Sequence, residues 1–242
     1  MSFMLEVVYS LSDQNACQNW RMKTAAFFDL DNTLVKGSSI YYLARRLISA
    51  GHVTRRELVG FSVSQARFIR TKTEDSETIS KVTKKALATI AGKSEQELRA
   101  LCEEIVHDFL PKKLFNSVKS LVEQHQNQGH HTWLVTASPI EIARATAKSL
   151  GMTGALGTVS ETKNGYYTGA LVGPILHGPV KAEAIKVLAL EQNYQMDSCY
   201  GYSDSVNDLP LLATVGNPVA VNPNDRLSDT ASKNLWPIHL PN

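Results

Sequence analysis

Phe27-Phe28-Asp29-Leu30-Asp31-Asn32-Thr33-Leu34 is the stretch on which the fold turns: an apolar run ends there in two carboxylates spaced one residue apart. Thr24-Ala25-Ala26-Phe27-Phe28 reads as a buried strand, so Asp29 and Asp31 emerge at its carboxyl end. That edge is where open α/β sheets bind ligands. Side chains at i and i+2 of an extended segment share a face, which lets both carboxylates turn toward one point. Two anions held that close repel unless a cation or a shared proton relieves them. A divalent metal is the simplest relief, and oxygen ligands of this kind suit Mg²⁺. The same pair can supply a nucleophile and a general acid/base. Acidic residues after a strand also serve as helix caps, so the pair gains weight only from partners elsewhere in the chain.

Working outward, the pattern after the acidic pair switches to helical periods. Ile40, Leu43, Ala44, Leu47 and Ile48 fall on one face, with Gly51 suited to the position after the helix. Leu58, Phe61, Phe68 and Ile69 continue the helical reading through an Arg-rich segment. Ser94 and Glu97 form a capping-box pair ahead of an apolar stripe, Leu98, Leu101, Cys102, Ile105 and Phe109, that should end before Pro111. Residues 38–110 therefore read as helical throughout. From Leu114 onward helices alternate with strands: a helix to about Gly129, a strand at Thr132-Trp133-Leu134-Val135, and a helix from Ile140 to Leu150. Short strands follow around the Asn164-Gly165 turn, then a helix from Lys181 to Leu190, then strands at Ser198-Cys199-Tyr200-Gly201 and Pro218-Val219-Ala220-Val221. This rhythm predicts an α/β chain, a Rossmann-like parallel-sheet core with an inserted all-helical cap domain. The expected boundaries are an N-terminal extension over 1–21, a core over 22–37 and 112–242, and a cap over 38–111.

Three further polar clusters fall at the predicted strand ends. Thr136-Ala137-Ser138 offers hydroxyls and backbone N–H groups where the next helix should start, a place that favours anions. Lys181 opens a helix after Gly178-Pro179, where its ammonium would meet a phosphate as a point charge. Ser203-Asp204-Ser205-Val206-Asn207-Asp208 adds two carboxylates after the strand near 200. Each has a plainer reading: Thr136, Ser138 and Asp208 as helix caps, and Lys181 as a solvated surface lysine. Pro210 at an early helical position supports the cap reading of Asp208.

Taken in order, these four clusters resemble the haloacid dehalogenase-like superfamily of phosphatases and phosphotransferases. Asp29-Leu30-Asp31-Asn32-Thr33 is similar to its first motif, Thr136 to its second, Lys181 to its third, and Ser203 through Asp208 to its fourth. The helical insertion between the first two motifs is similar to the caps of the phosphoserine-phosphatase-like branch, subfamily IB. The resemblance implies Asp29 as nucleophile, forming an aspartyl-phosphate, and Asp31 as general acid and then base. It implies Mg²⁺ held by Asp29, the backbone carbonyl of Asp31 and Asp204, with Asp208 either a further ligand or a group fixing Lys181 or the metal waters. Thr136, Lys181 and Asn207 would bind the phosphate of a small phosphate ester, with Ser138 a helper. The implied activity is hydrolysis of a small alcohol phosphomonoester; transfer to an alcohol acceptor, or phosphate-ligand binding without turnover, are the alternatives.

One position departs from that branch. Where phosphoserine phosphatases carry an acidic residue suited to the substrate ammonium, this chain has Ser38, within Lys36-Gly37-Ser38-Ser39. The Gly-Tyr-Ser-Asp-Ser form of the fourth motif differs as well, and these features look more like a neighbouring group of bacterial phosphatase-like hydrolases, some of which act on histidinol phosphate or other alcohol phosphates. Arg55, Arg56, Arg67, Arg70 and Lys72 make the cap basic, which reads first as solvated helix faces and second as a site for another anionic group. Tyr41, Tyr42 and Phe61 read as core packing before pocket wall, and His107, His130 and His131 have no part in this chemistry. Gly37 is a hinge candidate, with a second crossing near Pro111.

Bulk properties set outer limits. A chain of 242 residues, 43% hydrophobic and 20% charged with a net charge of +2, calls for neither nucleic acid nor a membrane surface as partner. No run is long enough to span a bilayer, and the first twenty residues lack the basic start and apolar block of a signal peptide. Cys17, Cys102 and Cys199 are widely spaced and odd in number, which suits small buried hydrophobes in a reducing, cytoplasmic setting. Nothing in the sequence sets an oligomeric state.

Overall fold

The computed structural model describes residues 23–49, 83–84 and 86–241. The readings made for residues 1–21, for Cys17, for Gly51, and for Arg55, Arg56, Leu58, Phe61, Arg67, Phe68, Ile69, Arg70 and Lys72 lie outside them. In chain order the first elements are β1 (Ala25–Phe28), α1 (Ser39–Ser49), α2 (Glu95–Lys113), α3 (Asn116–Asn127), β2 (His131–Pro139) and α4 (Ile140–Ser149). They are followed by β3 (Gly154–Thr158), β4 (Ser160–Lys163), β5 (Tyr166–Leu171) and α5 (Pro179–Gln192). The chain continues through β6 (Tyr200–Ser203), α6 (Leu209–Leu212), β7 (Asn217–Val221), α7 (Asp225–Lys233) and β8 (Ile238–His239).

The six strands of the main sheet run in the order β3-β2-β1-β6-β7-β8, and every neighbouring pair is parallel. The sheet is buried on both faces, which is why β1 is apolar at every position. Its alternation divides two cores. Ala26 and Phe28 face Leu134, Tyr202 and the apolar sides of α1 to α4, whereas Ala25 and Phe27 face Trp133, Ile185, Leu188 and Leu227. Phe28 stacks on Tyr202 with centroids 4.4 Å apart, locking β1 to β6. The chain builds outward from β1 to β3 on one side and from β6 to β8 on the other. The order therefore reverses between β1 and β6, and the carboxyl ends of those strands flank the crevice where such sheets bind ligands.

Between β1 and β2 the regular structure is helical among the described residues. The capping pair holds: Ser94 Oγ accepts the Glu97 N–H at 3.4 Å. Helix α2 does not stop before Pro111, however, and runs through it to Lys113. A proline removes one N–H, but Leu114 N–H still reaches the Leu110 carbonyl at 2.9 Å, so the last turn closes regardless. The two crossings into the helical insertion are paired with each other. Lys36 N–H donates to Lys113 O at 2.8 Å and Phe115 N–H to Leu34 O at 3.0 Å, with Gly37 in the left-handed region at φ +93°. The β4–β5 hairpin joins the insertion too, through Gly92 N–H to Tyr167 O (2.8 Å) and Tyr167 N–H to Lys93 O (3.0 Å). Tyr42 stacks on Phe109 with centroids 4.8 Å apart, as a core aromatic would, and His107 is exposed beside Asp108.

A buried polar chain sits at the opposite, amino end of the sheet. His125 Nε2 pairs with Tyr202 Oη at 2.8 Å, and His125 Nδ1 with His130 Nδ1 at 2.9 Å. One ring nitrogen of that pair must donate and the other accept, so a proton added to both would set donor against donor. Burial, with a smaller contribution from His130, pushes the His125 pKa from 6.5 down to about 4. The unfolded chain takes up a proton below 6.5 that the folded protein refuses until about 4, so His125 withdraws stability as pH falls across that window. Urea unfolding of the wild type and of His125→Gln across those pH values is expected to show a shallower acid loss in the variant.

Candidate active site

The turn after β1 places the first carboxylates. Asp29 N–H completes the ladder to Tyr202 O at 2.9 Å, and Asn32 adopts φ 59°, a left-handed conformation that Asn tolerates well. Asn32 N–H then bonds Val35 O (2.8 Å), and its Oδ1 accepts the Gly37 N–H (3.0 Å). This tight turn sends Asp29 and Asp31 to different partners. Asp29 Oδ1 meets Lys181 Nζ at 2.6 Å. Asp31 Oδ1 accepts the Ser39 N–H at 2.8 Å, and its Oδ2 lies 3.5 Å from Ser138 Oγ.

Lys181 is the centre of the arrangement. Its ammonium bridges Asp29 Oδ1 and Asp208 Oδ2, the latter at 2.8 Å, and the residue is only 3% exposed. Asp208 Oδ2 also accepts the Ser203 hydroxyl at 2.8 Å. Asp208 occupies the N-cap position of α6 but makes no side-chain cap, because its carboxylate is turned to Lys181 and Ser203 instead. Asp204 is tied to the first loop: its N–H donates to Thr33 Oγ1 at 2.9 Å, and Thr33 Oγ1 lies 3.5 Å from Asp204 Oδ1. Asn207 places its backbone carbonyl against Gly178, where an added Cβ would come within 3.5 Å.

Thr136 corrects one local expectation. Strand β2 runs on to Pro139, and α4 starts at Ile140 without a side-chain cap. Thr136 and Ser138 are therefore in the strand, not at a helix start; Thr136 Oγ1 accepts the Ser138 N–H at 3.1 Å. The lost expectation rested on hydroxyls preferring N-caps, whereas here β2 runs on to Pro139, which pairs with Thr158 of β3 beyond a register shift, and Thr158 Oγ1 donates to Ala137 O at 2.7 Å. The strand near 200 is displaced similarly, spanning Tyr200–Ser203 with Ser198 in a 3₁₀ turn.

Several participants carried no sequence signal of their own. Ser39 is read from its sequence only as the residue after Ser38, yet its N–H and Oγ both enter the site. Thr33 and Ser203 stood within motifs but with no assigned contact. His130 and His131 stay at the far end of the sheet, where His131 Nδ1 meets Tyr194 Oη at 2.7 Å. Cys102 and Cys199 are buried free thiols.

The charges are unbalanced in a revealing way. Burial opposes the charge on Lys181, but Asp208 and Asp29 outweigh it and hold its pKa above that of an ordinary lysine. Burial pushes the Asp29 carboxyl up to about 7 against the pull of Lys181, with Asp208 and Asp31 adding to the rise. Burial also raises Asp204 well above the usual carboxylate range, again with Asp29 and Asp208 contributing. Asp29 and Asp208 thus share the Lys181 ammonium, with the raised Asp204 carboxyl nearby, and a further cation would lower both raised groups. The donors are all oxygen, which fits a hard ion. Among the described residues no three Asp, Glu, His or Cys side chains form a metal cage by themselves.

The fold and this segment define a class: the haloacid dehalogenase-like hydrolase model matches residues 26–213, and the chain belongs to that family. Phosphoserine phosphatase SerB1 of Mycobacterium tuberculosis (strain ATCC 25618 / H37Rv) is 44% identical over 217 residues, covering 90% of this chain and 70% of the relative. A histidinol-phosphatase of Neisseria meningitidis serogroup C (strain 8013) is 32% identical over 221 residues, covering 90% of this chain and 98% of that relative. The crystal structure of a protein with unknown function from Bordetella pertussis Tohama I is similar with a TM-score of 0.77 at 27% identity, covering 90% of this chain and 98% of that one. Among the described residues no helix is long and apolar enough to cross a membrane.

Removing the central ammonium should cost more than its contacts alone, because it strands two buried carboxylates. Lys181→Met is expected to lose about 3–5 kcal/mol of unfolding free energy. Urea denaturation would show this as a lower midpoint at unchanged slope.

Proposed function

We propose that the protein is a Mg²⁺-dependent phosphatase that hydrolyses a small primary-alcohol phosphomonoester through an aspartyl-phosphate on Asp29. The observation that carries this reading is the buried bridge Asp29–Lys181–Asp208, 2.6 and 2.8 Å long, at the carboxyl edge of the sheet. A carboxylate gripped on one oxygen by a fixed ammonium has its other oxygen left to attack, and the ammonium lies where charge on a transferring phosphoryl group would need it.

In the first step Asp29 bonds to phosphorus, the ester P–O bond breaks, and the Asp31 carboxyl gives its proton to the departing alcohol oxygen. In the second, water attacks phosphorus, Asp31 takes back a proton, and the bond from Asp29 to phosphorus breaks to release inorganic phosphate and the free carboxylate. Lys181 and Thr136 hold phosphoryl oxygens, Asn207 supports them, and Asp208 with Ser203 keeps Lys181 in place. Asp29, the Asp31 backbone carbonyl and Asp204 would hold Mg²⁺, which when bound neutralises charge on the phosphoryl oxygens. The helical insertion, entered through the paired crossings at Lys36–Lys113 and Leu34–Phe115, would act as a cap in this reading. The β4–β5 hairpin is bonded to the insertion at Gly92 and Lys93.

The relatives and Ser38 support the substrate class. Phosphoserine and histidinol phosphate are both monoesters of a primary alcohol, and relatives named for each align over nine-tenths of this chain at 44% and 32% identity. Ser38 supplies no carboxylate for an ammonium beside the ester. Histidinol phosphate and other alcohol phosphates are therefore expected ahead of phosphoserine. Phosphate release from phosphoserine, histidinol phosphate, glycerol phosphate, sugar phosphates and an aryl phosphate, with Mg²⁺ and with EDTA, tests the reading. Release should require the metal, and Asp29→Asn should lose turnover by at least about 10³-fold while unfolding as the wild type does. Metal-independent release, or an active Asp29→Asn, would sink it.

A further inference from the structure

Helix α1 opens with a residue that the proposed mechanism has not used. Ser39 is fully buried, and its Oγ lies 2.7 Å from Ser138 Oγ, itself 1% exposed. The two come from segments 99 residues apart, one at the entry to the helical insertion and one near the end of β2. Both touch the same carboxyl group. Ser39 gives its backbone N–H to Asp31 Oδ1 at 2.8 Å, and Ser138 Oγ stands 3.5 Å from Asp31 Oδ2, the outer limit of a hydrogen bond.

The placement is not what packing alone asks for. Two alanines would nearly fill the same space with no polar atom to satisfy, and burying a hydroxyl costs free energy unless it is bonded. The hydrogens can also be counted. A pair of hydroxyls has two, of which one lies between the oxygens. When Ser39 donates to Ser138, the remaining hydrogen belongs to Ser138 and points at Asp31 Oδ2. Asp31 Oδ1 faces an N–H, which can only donate, whereas Oδ2 faces a hydroxyl, which can turn to accept once Oδ2 is protonated, so the proton of the acid form is accommodated on Oδ2. The two serines thus engage both oxygens of the carboxyl group and give each a different kind of partner.

We propose that Ser39 and Ser138 act as a unit of positioning residues that aims Oδ2 of Asp31 at the ester oxygen, so that the departing alcohol is protonated as it leaves. This rests on Asp31 being the general acid of the proposed phosphatase. The step it serves transfers one proton from Asp31 Oδ2 to the alcohol oxygen as the P–O bond breaks, and leaves Asp31 a carboxylate. Because Ser39 is the first residue of α1, its hydroxyl reaches Ser138 only while the start of the insertion is seated, which links the docked helix to a working acid.

The test is leaving-group dependence in the full-length enzyme with Mg²⁺. An alkoxide needs a proton to leave, whereas 4-nitrophenolate leaves without one, and kcat/KM reports only as far as departure of the alcohol. Ser39→Ala keeps the backbone N–H and removes only the hydroxyl. Ser39→Ala and Ser138→Ala should each lower kcat/KM for the preferred alkyl ester on the order of tenfold, leave that for 4-nitrophenyl phosphate within about twofold, and combine without further loss. Equal losses on both esters, additive losses in the double variant, or an unchanged alkyl rate would overturn the proposal. Should Ser138→Ala fail to fold, Ser138→Cys keeps the volume with a weak donor, and the same selective loss is expected. Asp31→Asn separates the two readings. A loss there that spares the aryl ester supports the acid assignment, and intact serine variants beside it would then sink the positioning proposal alone. An even loss in Asp31→Asn would remove the acid assignment itself.

Discussion

A lysine ammonium buried between two carboxylates is the constraint on which this molecule is organised. Three charges out of water are costly individually, and their mutual attraction compensates only where geometry is close and the remaining lone pairs are bonded. Here the distances are 2.6 and 2.8 Å, and the Ser203 hydroxyl adds a second bond to the same Asp208 oxygen. Asp29 comes from the end of β1, Lys181 from the first turn of α5 and Asp208 from the turn after β6. One interaction therefore ties three segments to the same edge of the sheet, and none of the three can shift alone without leaving a buried charge unpaired.

The sheet makes that convergence possible. With β1 central and the order reversing between β1 and β6, the loops after both strands open on the same crevice. The Phe28–Tyr202 stack fixes their spacing on one face, and Phe27 packs with the α5 residues on the other. Lys181 enters because α5 covers that second face and begins at the carboxyl edge. The apolar alternation of four residues in β1 thus places both the carboxylate and, through the helix it packs against, the ammonium that meets it.

Much of the site was legible because charged residues at strand ends have few other uses. Asp29, Asp31, Lys181, Asp204 and Asp208 were all candidates from type and spacing, and the structure gathers Asp29, Lys181 and Asp208 in direct contact. Local rules failed where tertiary pairing outweighed them. Hydroxyls at 136 and 138 suggested a helix start, but the strand runs on past them to a Pro139–Thr158 pairing beyond a register shift. Pro111 suggested a helix end, yet the last turn closes past it through Leu110. Ser39 was invisible because a serine at a helix start is ordinary, and only its contact with Ser138 distinguishes it.

The sequence by itself determined the alternation of strands and helices, the parallel buried sheet, the helical insertion after the first strand, and which residues carry charge at the sheet edge. These follow from local periodicity and from the cost of placing carboxylates beside an apolar strand. Tertiary structure alone decided which oxygen of each carboxylate is engaged, that Asp208 turns to Lys181 instead of capping its helix, and that Ser39 and Ser138 meet across 99 residues. Hydrogen bonds are directional over a few tenths of an ångström, and contacts between residues so far apart in the chain are set by how helices seat on the sheet, which no local pattern encodes.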